Sequence, residues 1–129
     1  MTWDEVGTLC MKIAEHVRTN HLDIKLVAGV NRGGLIPGQI IAYKLGIPFK
    51  AVDDSYDLID YAPNKVLLID DVCDTGETLS KFKISPYANQ YNTAVLIGKP
   101  WLTRSEAVSF LPDFTAEWLT EWVVFPWER

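Results

Sequence analysis

Cysteine is scarce in this 129-residue chain: Cys10 and Cys73 stand without a CxxC or His-x-x-x-His spacing beside them. That excludes a disulfide framework and the common zinc motifs, and it fits a reducing, cytoplasmic setting. No apolar run approaches the ~20 residues of a membrane span. The start, Met1-Thr2-Trp3-Asp4-Glu5, lacks the basic segment and apolar stretch of a signal peptide. Neither a membrane partner nor secretion is therefore expected. Basic charge is also short, with 12 Lys and Arg against 17 Asp and Glu and a net charge of −5 at pH 7. Duplex binding needs clustered Lys and Arg, so nucleic acid is not an expected partner. A P-loop and a dinucleotide fingerprint are excluded as well, since neither GxxxxGK[ST] nor GxGxxG occurs. A DxDxT phosphatase motif fails because Asp71 and Asp74 stand three apart rather than two.

Apolar residues make up 48% of the chain, and Trp, Tyr and Phe occur five times each, which rules out intrinsic disorder. The length suits one domain able to bury its own core. Thr2 and Glu5 form a capping-box pattern, and Val6, Leu9, Cys10, Ile13 and Val17 recur at helical spacing to about Thr19. Cys10 lies on the apolar face of that helix. Leu26–Val30 reads as a buried strand, Asn31-Arg32-Gly33-Gly34 as a turn, and Pro37 as part of a helical first turn. Gly46 closes that helix, and residues 48–52 return as a strand, giving a βαβ unit. Lys65–Ile69 is the strongest strand, with a helix over 79–87 and a further strand over 93–97 behind it. This alternation predicts an α/β fold with a parallel sheet. After Pro100 the rhythm breaks into an aromatic tail of short irregular strands. The expected organisation is one domain, 1–129, with a core over about 1–99 and a small C-terminal hood over about 100–129.

Ligands of parallel sheets bind beyond the carboxyl ends of the strands. Asp70 and Asp71 sit there. Neighbouring carboxylates can accept hydrogen bonds from a diol or hold Mg²⁺. Thr75-Gly76-Glu77-Thr78 follows at a helix start, where backbone N–H groups and threonine hydroxyls suit a phosphate. Diol and phosphate together point to a ribose 5-phosphate. Cys73, inside this loop, has no histidine near it in sequence and reads as a filler rather than a nucleophile.

The run Val66–Thr78 resembles the phosphoribosyl pyrophosphate (PRPP) signature of type I phosphoribosyltransferases, and Gly29–Gly38 resembles their pyrophosphate loop. Thr2-Trp3-Asp4, Gly98-Lys99-Pro100 and Trp122–Trp127 are similar to the xanthine-guanine and related purine enzymes. The resemblance implies PRPP and a purine base as substrates, pyrophosphate and a nucleoside monophosphate as products, and Mg²⁺ as cofactor. It implies purine salvage as the role and a homodimer or homotetramer as the assembly. Asp70 and Asp71 would hold the ribose hydroxyls and position the metal. Asp74, Thr75, Gly76, Glu77 and Thr78 would cradle the 5-phosphate. Asp74 would also meet purine N7 as general acid/base. Asn31, Arg32 and Gly33 would hold pyrophosphate, with Arg32 stabilising the leaving group. Lys99 would donate to the 6-oxo group, Trp122 would stack on the base, and the Val123 backbone would read the ring edge. Trp101 and Trp118 are assigned to packing, and Trp127 to packing with Phe125 and Pro126.

One segment departs from the family. The mobile loop that closes over the sugar is reduced to Asp53–Asn64, about a dozen residues. Ser55 and Tyr56 match its start and are expected to touch PRPP. An active but slow enzyme follows, against two alternatives: a non-catalytic PRPP or nucleotide sensor on the same fold, or transfer to another base.

Overall fold

The computed structural model describes residues 1–82, 91–103 and 110–128. Helix α1, Trp3–Thr19, begins at the expected capping box: the Thr2 side chain accepts from Glu5 N–H, and Glu5 accepts from Thr2 N–H. Its buried residues are Val6, Leu9, Cys10, Ile13, Ala14 and Val17, one stripe at three- and four-residue spacing. Strand β1, Leu26–Val30, is buried throughout. Helix α2, Leu35–Leu45, ends on Gly46, whose φ of 69° is the left-handed conformation that glycine adopts without strain. Strand β2 is Phe49–Val52, β3 is Val66–Cys73, β4 is Asn92–Gly98 and β5 is Phe114–Trp118.

The five strands form one parallel sheet in the order β2-β1-β3-β4-β5. Alternation along β3 feeds two apolar clusters. Leu67 and Ile69 pack with α1, α2 and the fully buried Phe125, whereas Val66 and Leu68 pack with Leu58, Leu79, Phe82, Tyr91 and Leu102. Both faces are thus covered, as a parallel sheet requires. The described part of the helix expected over 79–87 is α3, Glu77–Ser80, and residues 83–87 lie outside the described residues.

Two differences from the sequence reading bear on the site. Strand β3 runs on through the acid pair to Cys73. Its pairing with β1 ends at Ile69, but β4 continues beside it as far as Cys73 and Gly98. Also, residues 114–118 of the aromatic tail are a regular edge strand of the main sheet rather than an irregular one, because their backbone pairs with β4 from Ala94 to Gly98. The short connection after β2 is tied down. Asp54 caps a 3-10 turn over Ser55–Leu58, Asp57 accepts from Asp53 N–H at 2.8 Å, and Leu58 is fully buried.

Candidate active site

Successive side chains of a strand point to opposite faces, so Asp70 and Asp71 serve different cavities. Asp70 lines a cleft of about 150 Å³ with Asp74, Thr75, Gly76, Glu77 and Thr78. Asp71 lines a cavity of about 580 Å³ with Arg32, Gly33, Leu35, Trp127 and Glu128. The loop of the first cleft turns at Gly76, whose φ is 82°. A Cβ there would also meet the Phe110 carbonyl at 2.0 Å, so no other residue fits. Asp74, Thr75, Glu77 and Thr78 remain exposed around it.

In the second cavity the Asn31–Arg32 peptide is cis. The loop behind it presses on β3: a Cβ on Gly34 would lie 2.1 Å from the Ile69 carbonyl, and one on Gly33 would lie 2.4 Å from the Asp71 carboxylate. Arg32 is exposed at the rim.

The acid pair carries stored electrostatic cost. Asp70 Oδ1 accepts the Asp71 N–H at 2.8 Å, and Asp71 Oδ1 accepts the Val72 N–H at 2.7 Å. Neither carboxylate has a Lys or Arg ion-pair partner among the described residues. Burial, reinforced by the charge of Asp71, pushes Asp70 up to about 8. Burial raises Asp71 as well, and the Glu128 charge adds to that rise. Two hard-oxygen carboxylates in this state suit a divalent cation such as Mg²⁺. No group of three or more His, Cys, Asp or Glu side chains is placed to hold a metal among the described residues. Asp70 and Asp71 are the residues that would hold such an ion. Cys73 sits between these groups, but burial pushes its thiol up to about 11, which leaves it inert at neutral pH.

Across the cleft, Lys99 is 6% exposed, and its Nζ donates to the Glu121 carbonyl at 2.5 Å. With the Leu119 N–H on the Gly98 carbonyl at 3.1 Å, this bond ties the C-terminal segment to the end of β4. Phe125 is 1% exposed and stacks on Trp127, ring centroids 4.7 Å apart, as expected of the hood anchor. Val123 packs toward the core, while Trp122 is 86% exposed. Trp118 lies against Gly98.

Three findings go beyond or against the sequence reading. Ser55 and Tyr56 line a separate cavity of about 400 Å³ with Tyr61 and Tyr91, and are not brought to the acid pair. Trp101 is not a packing residue: it is 43% exposed and its indole N–H donates to Asp74 Oδ1 at 2.8 Å. Its direct succession to Lys99-Pro100 is the only sequence signal that could have found it. Glu128 has no local motif and reaches Asp71 through the fold alone.

Comparison with known proteins identifies the family. The family model for the phosphoribosyl transferase domain matches residues 2–128. A xanthine-guanine phosphoribosyltransferase of Vibrio vulnificus is 29% identical over 144 residues, covering 99% of this chain and 87% of the relative. The purine phosphoribosyltransferase structure from Pyrococcus horikoshii superposes with a TM-score of 0.72 at 29% identity, covering 100% of this chain and 92% of that one. The xanthine-guanine-hypoxanthine phosphoribosyltransferase of Helicobacter pylori shares the fold, with a TM-score of 0.75 at 15% identity over 99% and 91% of the two chains. With the family model matched over residues 2–128 of this parallel-sheet fold, the chain belongs to the phosphoribosyl transferase domain family.

Proposed function

We propose that the chain transfers ribose 5-phosphate from PRPP to a nitrogen of a 6-oxopurine (guanine, xanthine or hypoxanthine) and releases pyrophosphate. One observation carries this reading: two adjacent carboxylates open into two cavities, one ending in the Asp74–Thr78 loop and the other in Arg32 and Gly33. A donor with a phosphate at one end and a pyrophosphate at the other spans that arrangement.

In this reading the backbone of Thr75–Thr78 and the hydroxyls of Thr75 and Thr78 hold the 5-phosphate. Asp70 and Asp71 accept the ribose hydroxyls and would hold Mg²⁺. When bound, the ion supplies positive charge beside the diol and pyrophosphate oxygens. Arg32 and the amides around Gly33 meet the leaving group as the bond from the anomeric carbon to its oxygen breaks. Asp74 takes the proton from the purine as its ring nitrogen forms the new bond to that carbon. Lys99 has three donors, so one can hold the Glu121 carbonyl while another meets the 6-oxo oxygen. Trp122 covers one face of the base, and the Val123 backbone reads its edge. The names of the Vibrio vulnificus and Pyrococcus horikoshii relatives support a purine acceptor.

A second reading, a PRPP or nucleotide sensor, draws on the connection after β2. Buried Leu58 and the Asp54 cap hold it down, and Ser55 and Tyr56 face another cavity. A closing loop excludes water from such reactions, and this one is short. Assay with PRPP, Mg²⁺ and each of guanine, xanthine, hypoxanthine and adenine separates the two. The transferase reading expects nucleotide and pyrophosphate from at least one 6-oxopurine and little from adenine. Calorimetric binding of guanosine monophosphate with no turnover on any base would leave the sensor.

A further inference from the structure

Trp101 stands between Asp74 and Lys99, two of the side chains assigned to the base. It lies on a 3-10 turn, Pro100–Thr103, directly after Lys99. That turn is fixed at three points: the Lys99 N–H donates to the Cys73 carbonyl at 3.1 Å, the Leu102 N–H to the Lys99 carbonyl at 3.0 Å, and Leu102 is buried. The start of the turn is thereby tied to the residue preceding Asp74. From this footing the indole N–H reaches Asp74 Oδ1 at 2.8 Å, and the ring lies 5.9 Å from Lys99 Nζ.

Asp74 is exposed, and an exposed carboxylate is free to rotate about its side-chain bonds. Indole N–H donates only, whereas the carboxylate has two acceptor oxygens. A bond from Trp101 to Oδ1 restrains the carboxylate and leaves Oδ2 for the proton of the base. Orientation of a proton acceptor to within hydrogen-bond reach is what such a step demands. Within the transferase reading above, on which this rests, we infer that Trp101 is a positioning residue: its indole N–H orients Asp74 toward the base, and its ring walls the base pocket beside Lys99.

A double-mutant cycle of Trp101→Phe and Asp74→Asn tests this, since phenylalanine keeps an aromatic ring, though a smaller one, and lacks the N–H donor. Trp101→Phe is expected to lower kcat about tenfold, the scale of losing one hydrogen bond to a charged group. The KM values for base and PRPP are expected to move less, within about threefold, because most of the bond's worth falls on the chemical step. Added to Asp74→Asn, the same change should alter kcat by less than about twofold, because residues that act through one another are non-additive. Equal loss in both backgrounds would assign Trp101 to packing and overturn the inference. So would an unchanged kcat, or a lower base KM at unchanged kcat, which would mark the indole as a competitor for the base site. The cycle is also read as calorimetric affinity for guanosine monophosphate. An additive cycle there overturns the role of Trp101 whether or not the wild type turns over. Non-additivity there in a protein that transfers to no base would remove the enzyme reading and keep the coupling.

Discussion

Around the acid pair, contacts are made by backbone: Gly33 and Gly34 lie against β3, Gly76 turns under Phe110, and the carboxylates accept their neighbours' amides. At the end of β4 and in the C-terminal segment, contacts are made by side chains. Lys99, Trp101 and Trp122 hang from the end of β4 and from a C-terminal segment held by the Glu121 carbonyl and by Phe125. The loops around the acid pair are therefore intolerant of added atoms. Exposed side chains at the end of β4 and in the C-terminal segment, Trp122 above all, can change without changing the fold, and in the proposed reading these are the ones that meet the base.

The largest effect is expected where backbone meets backbone. Gly34→Ala puts a Cβ 2.1 Å from the Ile69 carbonyl, and neither side can yield cheaply. A stability loss of roughly 3 kcal/mol or more follows, measured by urea unfolding, with PRPP binding lost alongside. Survival of full stability would show that the β1–α2 loop is not locked to β3. Next, Asp74→Asn should lower kcat by about 100-fold or more while PRPP affinity by calorimetry changes little. Comparable losses in both would move Asp74 from the chemistry into the phosphate cradle.

Trp122→Ala is expected to raise the base KM by roughly 5- to 100-fold, the scale of one base–aromatic stack. Its Tm should stay near that of the wild type, because the ring is 86% exposed. A large Tm fall would make Trp122 a structural residue. The smallest effect concerns pH. Asp70 rises from 3.8 to about 8 in the folded chain, so the folded state binds the proton more tightly than the unfolded state does. Stability therefore falls as pH climbs through that window. Without Mg²⁺, Asp70→Asn should stabilise by about 1 kcal/mol at pH 8, seen as a higher Tm, and the gain should vanish near pH 4. A variant less stable than wild type at pH 8 would contradict the strain assigned to the pair.

The same division explains what the sequence made legible. The capping box at Thr2, the Gly46 stop and the strand–helix alternation are local signals, and each appears where it was expected. Asp70–Thr78 is a continuous motif, so its cleft could be anticipated residue by residue. Arg32 joins Asp71 through one glycine turn beside β3, which is nearly as local. The base half is assembled from residues far apart. Trp101 meets Asp74 across 27 positions, so composition and periodicity left it among the packing tryptophans. Glu128 comes beside Asp71 only because Phe125 and Trp127 fold the terminal segment back. Ser55 and Tyr56 show the converse: a matching dipeptide sits on a shortened connection, whose own cap and buried Leu58 carry it to a different cavity.

The proposed function puts donor and base on two separately built regions of the molecule. Steady-state kinetics of Lys99→Met test it most directly. Methionine fills the buried stem and removes the ammonium that meets the Glu121 carbonyl and that the proposed reading aims at the 6-oxo group. The KM for guanine should rise by about 10- to 100-fold, the worth of a charged hydrogen bond, with the KM for PRPP within about twofold. Equal rises in both KM values, or a change in the PRPP value alone, would contradict the division.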